Sequence, residues 1–237
     1  MNYYTLPLVV NIHDVDPNGV CRASAMLRFM QSSAEAQLSE YGMSYDELKE
    51  KKRAFILSRI YMEFAEAPRA GVPLSAATYP CESRGYSFMR CYELYKEEKL
   101  IGQAVSVFAL IDTDTHALLP VDSFALPFPA GQVPATVGQT RFRLPVAMED
   151  CGTYTVRYAD LDQNGHMNNT HYPDIYADFL PLGGRRISSL SLIFGKEAKK
   201  GDTLRVRTVR DGDFYYFTTT LPDGSLNSEA RIALSDI

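Results

Sequence analysis

The sequence predicts an α+β protein of two similar halves, each one helix packed on antiparallel strands, with the two sheets joined into one. Three observations carry that expectation. The loop sequence Ile12-His13-Asp14-Val15-Asp16-Pro17-Asn18-Gly19 recurs without gaps as Tyr158-Ala159-Asp160-Leu161-Asp162-Gln163-Asn164-Gly165. A helical periodicity follows each copy, and β-rich runs follow each helix in matching order. One helix cannot cover the faces and edges of such a sheet, so two halves side by side bury what each would expose.

The elements follow in chain order. After the first loop, Met26, Leu27, Met30, Ala34, Leu38 and Tyr41 recur at helical spacing, and Gly42 stops the run. Ile56 to Phe64 then reads as a strand leading to a turn at Gly71, and Ala109-Leu110-Ile111-Asp112 closes the half. Pro120 to Pro145, with Pro127, Pro129, Pro134, Gly131 and Gly138, is a connecting segment. Its Phe124, Leu126 and Phe128 predict that it lies against the protein. In the second half Tyr154 to Tyr158 alternates as a strand, and Tyr172, Ile175, Tyr176, Phe179 and Leu180 form a shorter helical run ending at Pro181-Leu182-Gly183-Gly184. Ile187 to Phe194, a turn at Gly201 and Ala233-Leu234-Ser235-Asp236 repeat the earlier order. The expected division is residues 1–120, a connector over 121–150, and residues 151–237.

At 46% hydrophobic and 22% charged residues, the chain has ordinary globular composition. Its net charge of -5 supplies no general attraction to nucleic acid or anionic membrane, and the aromatic run Phe214-Tyr215-Tyr216-Phe217 reads as strand packing rather than a base-stacking platform. Cys21, Cys81, Cys91 and Cys151 form no CxxC pair, so all four are expected to be reduced, as in a cytosolic protein. The first residues lack a basic stretch followed by an apolar one, and no run nears the roughly 18 apolar residues of a membrane span. The expected location is the cytoplasm, with no membrane contact.

Asp160-x-Asp162-x-Asn164-Gly165 fits the opening of a calcium loop, as does Asp14-x-Asp16-x-Asn18-Gly19. The glutamate required at the twelfth position is His171 in one copy and Ala25 in the other, and a strand pattern stands where the incoming helix belongs. No metal is expected. Asp, Asn and Gly are accounted for by a tight strand-to-helix turn, but His166 and Asn168-Asn169 are not. There is no G-x-S-x-G elbow, and Cys151 has no histidine near it in sequence.

Asp162-x-Asn164-x-His166-x-Asn168-Asn169, Tyr172, and Lys196-Glu197 before Lys200-Gly201-Asp202 resemble the acyl-acyl-carrier-protein thioesterases of plants and bacteria. Val15 to Gly19, Leu57-Ser58-Arg59, Arg69-x-Gly71 and Val107 to Asp112 extend the likeness over nearly the whole chain. The resemblance implies a tandem double hotdog, two long helices each wrapped by an antiparallel sheet, with a catalytic second half and an acyl pocket shaped by the first. It places the catalytic set on Asp162, Asn164, His166 and Glu197. Some plant members carry a cysteine after the glutamate; here that position is Ala198, which cannot form a covalent intermediate.

The implied reaction is hydrolysis of fatty acyl-carrier-protein thioesters, ending fatty acid synthesis, by activated water and without a cofactor. Such chemistry needs a base and donors for the developing oxyanion. Glu197, alone or with His166, would activate water, Asp162 would orient its neighbours, and Asn164 would hold substrate or water. Backbone N–H groups near Asn168 and Asn169 would serve the oxyanion. Aligned on the repeat, Val20 stands for His166 and Ala67 for Glu197, so one active site is expected. Arg185, Arg186, Lys196, Lys199 and Lys200, with Arg205, Arg207 and Arg210, cluster against only Glu197 and Asp202 and would dock an acidic carrier protein. Acyl-CoA hydrolysis, a hotdog dehydratase and a non-catalytic acyl-thioester binder remain open. A monomer suffices, and a homodimer is allowed.

Overall fold

The computed structural model describes residues 3–237, the side chains of residues 135 and 137 excepted. The first half runs β1 (Tyr4–Val9), α1 (Ala23–Glu40), α2 (Tyr45–Glu50), β2 (Arg53–Phe64), β3 (Pro73–Arg84), β4 (Ser87–Lys96) and β5 (Lys99–Asp112). A two-residue β6 (Leu118–Leu119) pairs with β5. The second half runs β7 (Glu149–Thr155), α3 (Tyr172–Ala177), β8 (Arg185–Phe194), β9 (Thr203–Asp211), β10 (Phe214–Thr220) and β11 (Leu226–Asp236).

Ten of these strands lie in the order β1-β3-β4-β5-β2-β8-β11-β10-β9-β7. The sequence β7, β9, β10, β11, β8 mirrors β1, β3, β4, β5, β2, so the repeat in the loops extends to the topology. β2 and β8 join the halves antiparallel, from Arg59 opposite Ile193 to Glu63 opposite Ser189. An open edge in each half is thereby consumed by the other.

The helices bury their apolar faces on this sheet. Met26, Leu27 and Met30 of α1 are almost wholly buried with Ile60, Met62, Ala76, Tyr92 and Leu94. In the second half Ile175 and Tyr176 of α3 are buried with Phe217 and Leu204, and the Tyr176 and Phe217 ring centroids lie 4.9 Å apart. Only the first of the two expected long helices is long: α3 has 6 residues. A 3-10 turn at Asn169–His171 occupies its approach, Pro173 stands in its first turn, and Pro181 and the Gly183-Gly184 pair end any continuation. Ser24 of α1 donates to Asp174 of α3 at 2.7 Å, tying the helices together.

The connecting segment lies against the protein, as its aromatics predict, its first part on the first half and Gln139 and Phe142 on the second. Phe124 meets Phe55 edge-on at 5.4 Å, and Phe128 meets Tyr41 at 5.1 Å. The cysteine expectation is corrected: Cys81 and Cys91 are disulfide-bonded across β3 and β4, with Cα atoms 6.6 Å apart. The hairpin register sets Tyr79 opposite Cys91 and Cys81 opposite Met89, making the two cysteines diagonal neighbours that linear spacing conceals. Cys21 and Cys151 are free. Among the described residues no helix is long and apolar enough to cross a membrane.

Candidate active site

The repeated loop is the same object twice, nearly bond for bond. Asp16 Oδ1 accepts the N–H groups of Asn18 at 2.8 Å and Val20 at 3.2 Å; Asp162 Oδ1 accepts those of Asn164 at 2.8 Å and His166 at 3.4 Å. The Asp16 N–H donates to the Val20 carbonyl at 2.9 Å, and the Asp162 N–H to that of His166 at 2.8 Å. Gly19 and Gly165 take φ of 75° and 78°, conformations in which a side chain is strained. Asp14 and Asp160 are likewise committed, accepting the N–H of Asn11 at 2.8 Å and of Arg157 at 2.7 Å. The calcium-like spacing is therefore turn chemistry: these carboxylates hold backbone.

What differs is carried on that scaffold. His166 Nδ1 lies 3.1 Å from Glu197 Oε2. The imidazole is 27% exposed and the carboxylate 57%, so the pair faces solvent and is open to a ligand. In the first half the corresponding place holds Val20, buried in the core, and Ala67. The backbone registers this equivalence. The N–H of Met167 donates to the Ala198 carbonyl at 2.9 Å and that of Cys21 to the Pro68 carbonyl at 2.8 Å, one residue beyond Glu197 and Ala67 respectively.

Glu197 is placed by the segment leaving β8. Gly195 and Lys196 donate to the Asn227 and Leu226 carbonyls at 2.8 and 2.9 Å. A Cβ at Gly195 would come within 2.5 Å of the Leu226 oxygen, so this approach requires glycine. Buried Asn227 then donates to the Lys196 carbonyl at 2.7 Å and to the Tyr172 hydroxyl at 2.9 Å. Its Oδ1 accepts from Thr219, whose hydroxyl also meets that of Ser228, which meets that of Tyr176. This satisfied network fixes β10, β11 and α3 beneath the pair. Burial pushes the Tyr172 phenol up to about 12, and the Glu197 charge adds to that shift, so Tyr172 stays neutral beside the carboxylate.

The other expected residues are partly committed. Asn168 caps the 3-10 turn, its Oδ1 accepting from the Thr170 N–H and hydroxyl at 2.9 Å each. Its own N–H donates to the Asp160 carbonyl at 2.8 Å and is not available to an oxyanion. Asn169, first in that turn, is where an N–H has no partner within the turn. Asn164 Oδ1 accepts from the Tyr45 hydroxyl of α2 at 2.7 Å.

The expected basic cluster divides. Arg185 and Arg186 open β8 while Lys196, Lys199 and Lys200 follow its far end, about 30 Å away at strand rise. Arg186 donates to the Phe64 and Ala65 carbonyls at 2.9 and 2.7 Å, fastening the two halves. Lys196 pairs with Asp223 at 2.7 Å, Arg205 and Arg207 with Asp150, and Arg185 approaches Asp236 to 4.0 Å. Acidic residues distant in sequence therefore offset much of the charge that the linear count assigned to docking. Lys199 and Lys200 follow Glu197 in the chain; Lys200 lies 5.9 Å from the Tyr158 ring.

Sequence reasoning missed Tyr45 and Asn227. Asn227 carries no motif. Tyr45 lies in α2, whose start was readable from Ser44-Tyr45-Asp46-Glu47: Ser44 and Glu47 form a capping box, with the Ser44 N–H on Glu47 Oε2 at 2.8 Å.

Comparison with known proteins agrees with this architecture. The family model of the acyl-ACP thioesterase C-terminal domain matches residues 146–232, and that of the thioesterase-like superfamily matches residues 10–131. Among solved structures, an acyl-ACP thioesterase from Bacteroides thetaiotaomicron is similar at a TM-score of 0.84 and 21% identity, covering 98% of this chain and 97% of its own. The 12:0-ACP thioesterase from Umbellularia californica is similar at 0.82 and 18%, covering 99% and 97%. At those identities the likeness establishes the fold, a double hotdog. No curated protein matches the chain in sequence. The thioesterase-like superfamily model spans just over half of the chain, so the chain belongs to that superfamily and is a thioester hydrolase, and its second half matches the acyl-ACP thioesterase C-terminal domain.

Proposed function

We propose that the protein hydrolyses fatty acyl-carrier-protein thioesters to free fatty acid and carrier protein, ending chain synthesis in the cytoplasm, at a single site centred on His166 and Glu197. The carrying observation is their 3.1 Å contact on a loop whose twin has valine and alanine in their places. The Glu197 carboxylate accepts from His166 Nδ1–H and leaves Nε2 as the acceptor for a proton from water. Water adds to the thioester carbonyl as Nε2 takes that proton. The tetrahedral oxyanion then collapses, the carbon–sulfur bond breaks, and the imidazolium returns the proton to the leaving pantetheine sulfur.

Asp162 holds the loop that carries Asn164 and His166. Asn164 and the Asn169 N–H are the donors proposed for the oxyanion. The acyl chain is proposed to enter the first half, whose core is rich in methionine at Met26, Met30 and Met62, side chains that repack with little strain. Ala198 gives no nucleophile, which favours direct attack by water.

The test compares hydrolysis of acyl-carrier-protein and acyl-CoA thioesters over a series of chain lengths. Carrier-protein thioesters should give the higher kcat/KM, and a preference for acyl-CoA would reassign the donor. Glu197→Ala and Asp162→Ala should each lower kcat by about 100-fold or more while the folded spectrum persists. Near-normal turnover in Glu197→Ala would overturn the site.

A further inference from the structure

We propose that Tyr45 is a positioning residue of this site, turning the Asn164 carboxamide so that its N–H bonds face the substrate. The inference rests on the role assigned above to Asn164. A carboxamide has a donor end and an acceptor end, and whichever end is tied to the protein leaves the other for a ligand. The repeat supplies the comparison, because Asn18 and Asn164 stand on equal backbone, each N–H donating to the preceding aspartate at 2.8 Å.

Their side chains are held by opposite ends. Asn18 Nδ2 donates to Asp16 Oδ2 at 3.3 Å and, across the halves, to the Leu182 carbonyl at 3.3 Å, so its oxygen is left outward. Asn164 Oδ1 accepts from the Tyr45 hydroxyl at 2.7 Å, also across the halves, so its NH2 is left outward. In both cases the segment following one half's helix reaches over to the other half's loop, and its chemistry sets the amide's direction. A carbonyl can only accept, while the tyrosine hydroxyl donates here.

The difference traces to α2, which the second half lacks. Tyr45 is the first residue of that helix, held by the Ser44–Glu47 capping box, with Lys49 Nζ 5.8 Å from its ring centroid. An outward N–H is the end that thioester hydrolysis uses, since negative charge develops on the carbonyl oxygen. The first half's additional helix thus completes the second half's site.

The test is Tyr45→Phe, which keeps the ring and removes the hydroxyl, measured with Asn164→Ala and the double variant on saturated acyl-carrier-protein thioesters. Tyr45→Phe should lower kcat about fivefold, the weight of one hydrogen bond, with KM within about twofold and the melting temperature unchanged. Added to Asn164→Ala it should lower kcat no further, because the two act as one unit. If Asn164→Ala lowers kcat but Tyr45→Phe does not, or if their effects multiply, Tyr45 does not position Asn164. If Asn164→Ala leaves kcat unchanged, Asn164 has no such role and the proposal falls with it.

Discussion

At Glu197 and His166 the second half parts from its twin through substitutions that leave the loop scaffold untouched. Asp16 and Asp162 make the same pair of backbone bonds, and Gly19 and Gly165 share a conformation. His166 was legible because turn chemistry leaves it unexplained. Tyr45 was not, because a tyrosine at the start of a short helix is ordinary until the other half is folded against it. Residue-scale chemistry also bears on the cysteines. Burial, with the Asp14 charge adding to it, pushes the Cys21 thiol up to about 12, and burial raises Cys151 as well. The thiolate is the reactive form. At pH about 8, alkylation of the folded, unreduced protein should therefore reach half-buried Cys151 first and Cys21 only on unfolding. Mass spectrometry after unfolding should count two modified cysteines, and four would remove the Cys81–Cys91 bond.

Among the elements, the two central helices show how one pattern gives unequal results. α1 has a long apolar face and meets no breaker before Gly42, whereas α3 is confined between a 3-10 turn and Pro181. The second helix compensates with aromatic bulk: Tyr172 and Tyr176 are buried, and Tyr176 stacks at a tilt on Phe217. Phe217 is fully buried beneath the hydroxyl network that holds the Glu197 segment. Phe217→Ala should cost about 3–5 kcal/mol in denaturant unfolding, the usual range for a truncated core aromatic. Loss under about 1 kcal/mol would mean that α3 is not held by this packing. The strand runs were visible in advance because β-branched and aromatic residues alternate in them. α2 escaped because 6 residues give no periodicity, although Ser44 and Glu47 mark its start.

Over the whole molecule, the mirrored strand order makes the β2–β8 seam the place where a duplicated chain becomes one sheet. Charge is redistributed by the same folding. Asp150, Asp223 and Asp236 come to lie against Arg205, Arg207, Lys196 and Arg185, leaving Lys199 and Lys200 beside Glu197 as the basic pair proposed to meet an acidic carrier protein. Reversing both, Lys199→Glu with Lys200→Glu, should lower kcat/KM for a carrier-protein thioester about tenfold at low ionic strength, with the deficit shrinking as salt is added. Hydrolysis of the same acyl group on pantetheine alone should be unchanged. An unaltered salt dependence would remove these lysines from docking. The sequence by itself determined the duplication, the α+β class and the loop scaffold, and singled out Asp162, Asn164, His166 and Glu197 as candidates, because these are written in local periodicity and in short motifs. The tertiary structure decided which basic residues are neutralised, which N–H groups are spent, how Cys81 meets Cys91 and which residue holds Asn164. Those outcomes depend on pairings between segments far apart in the chain, and no local pattern encodes them.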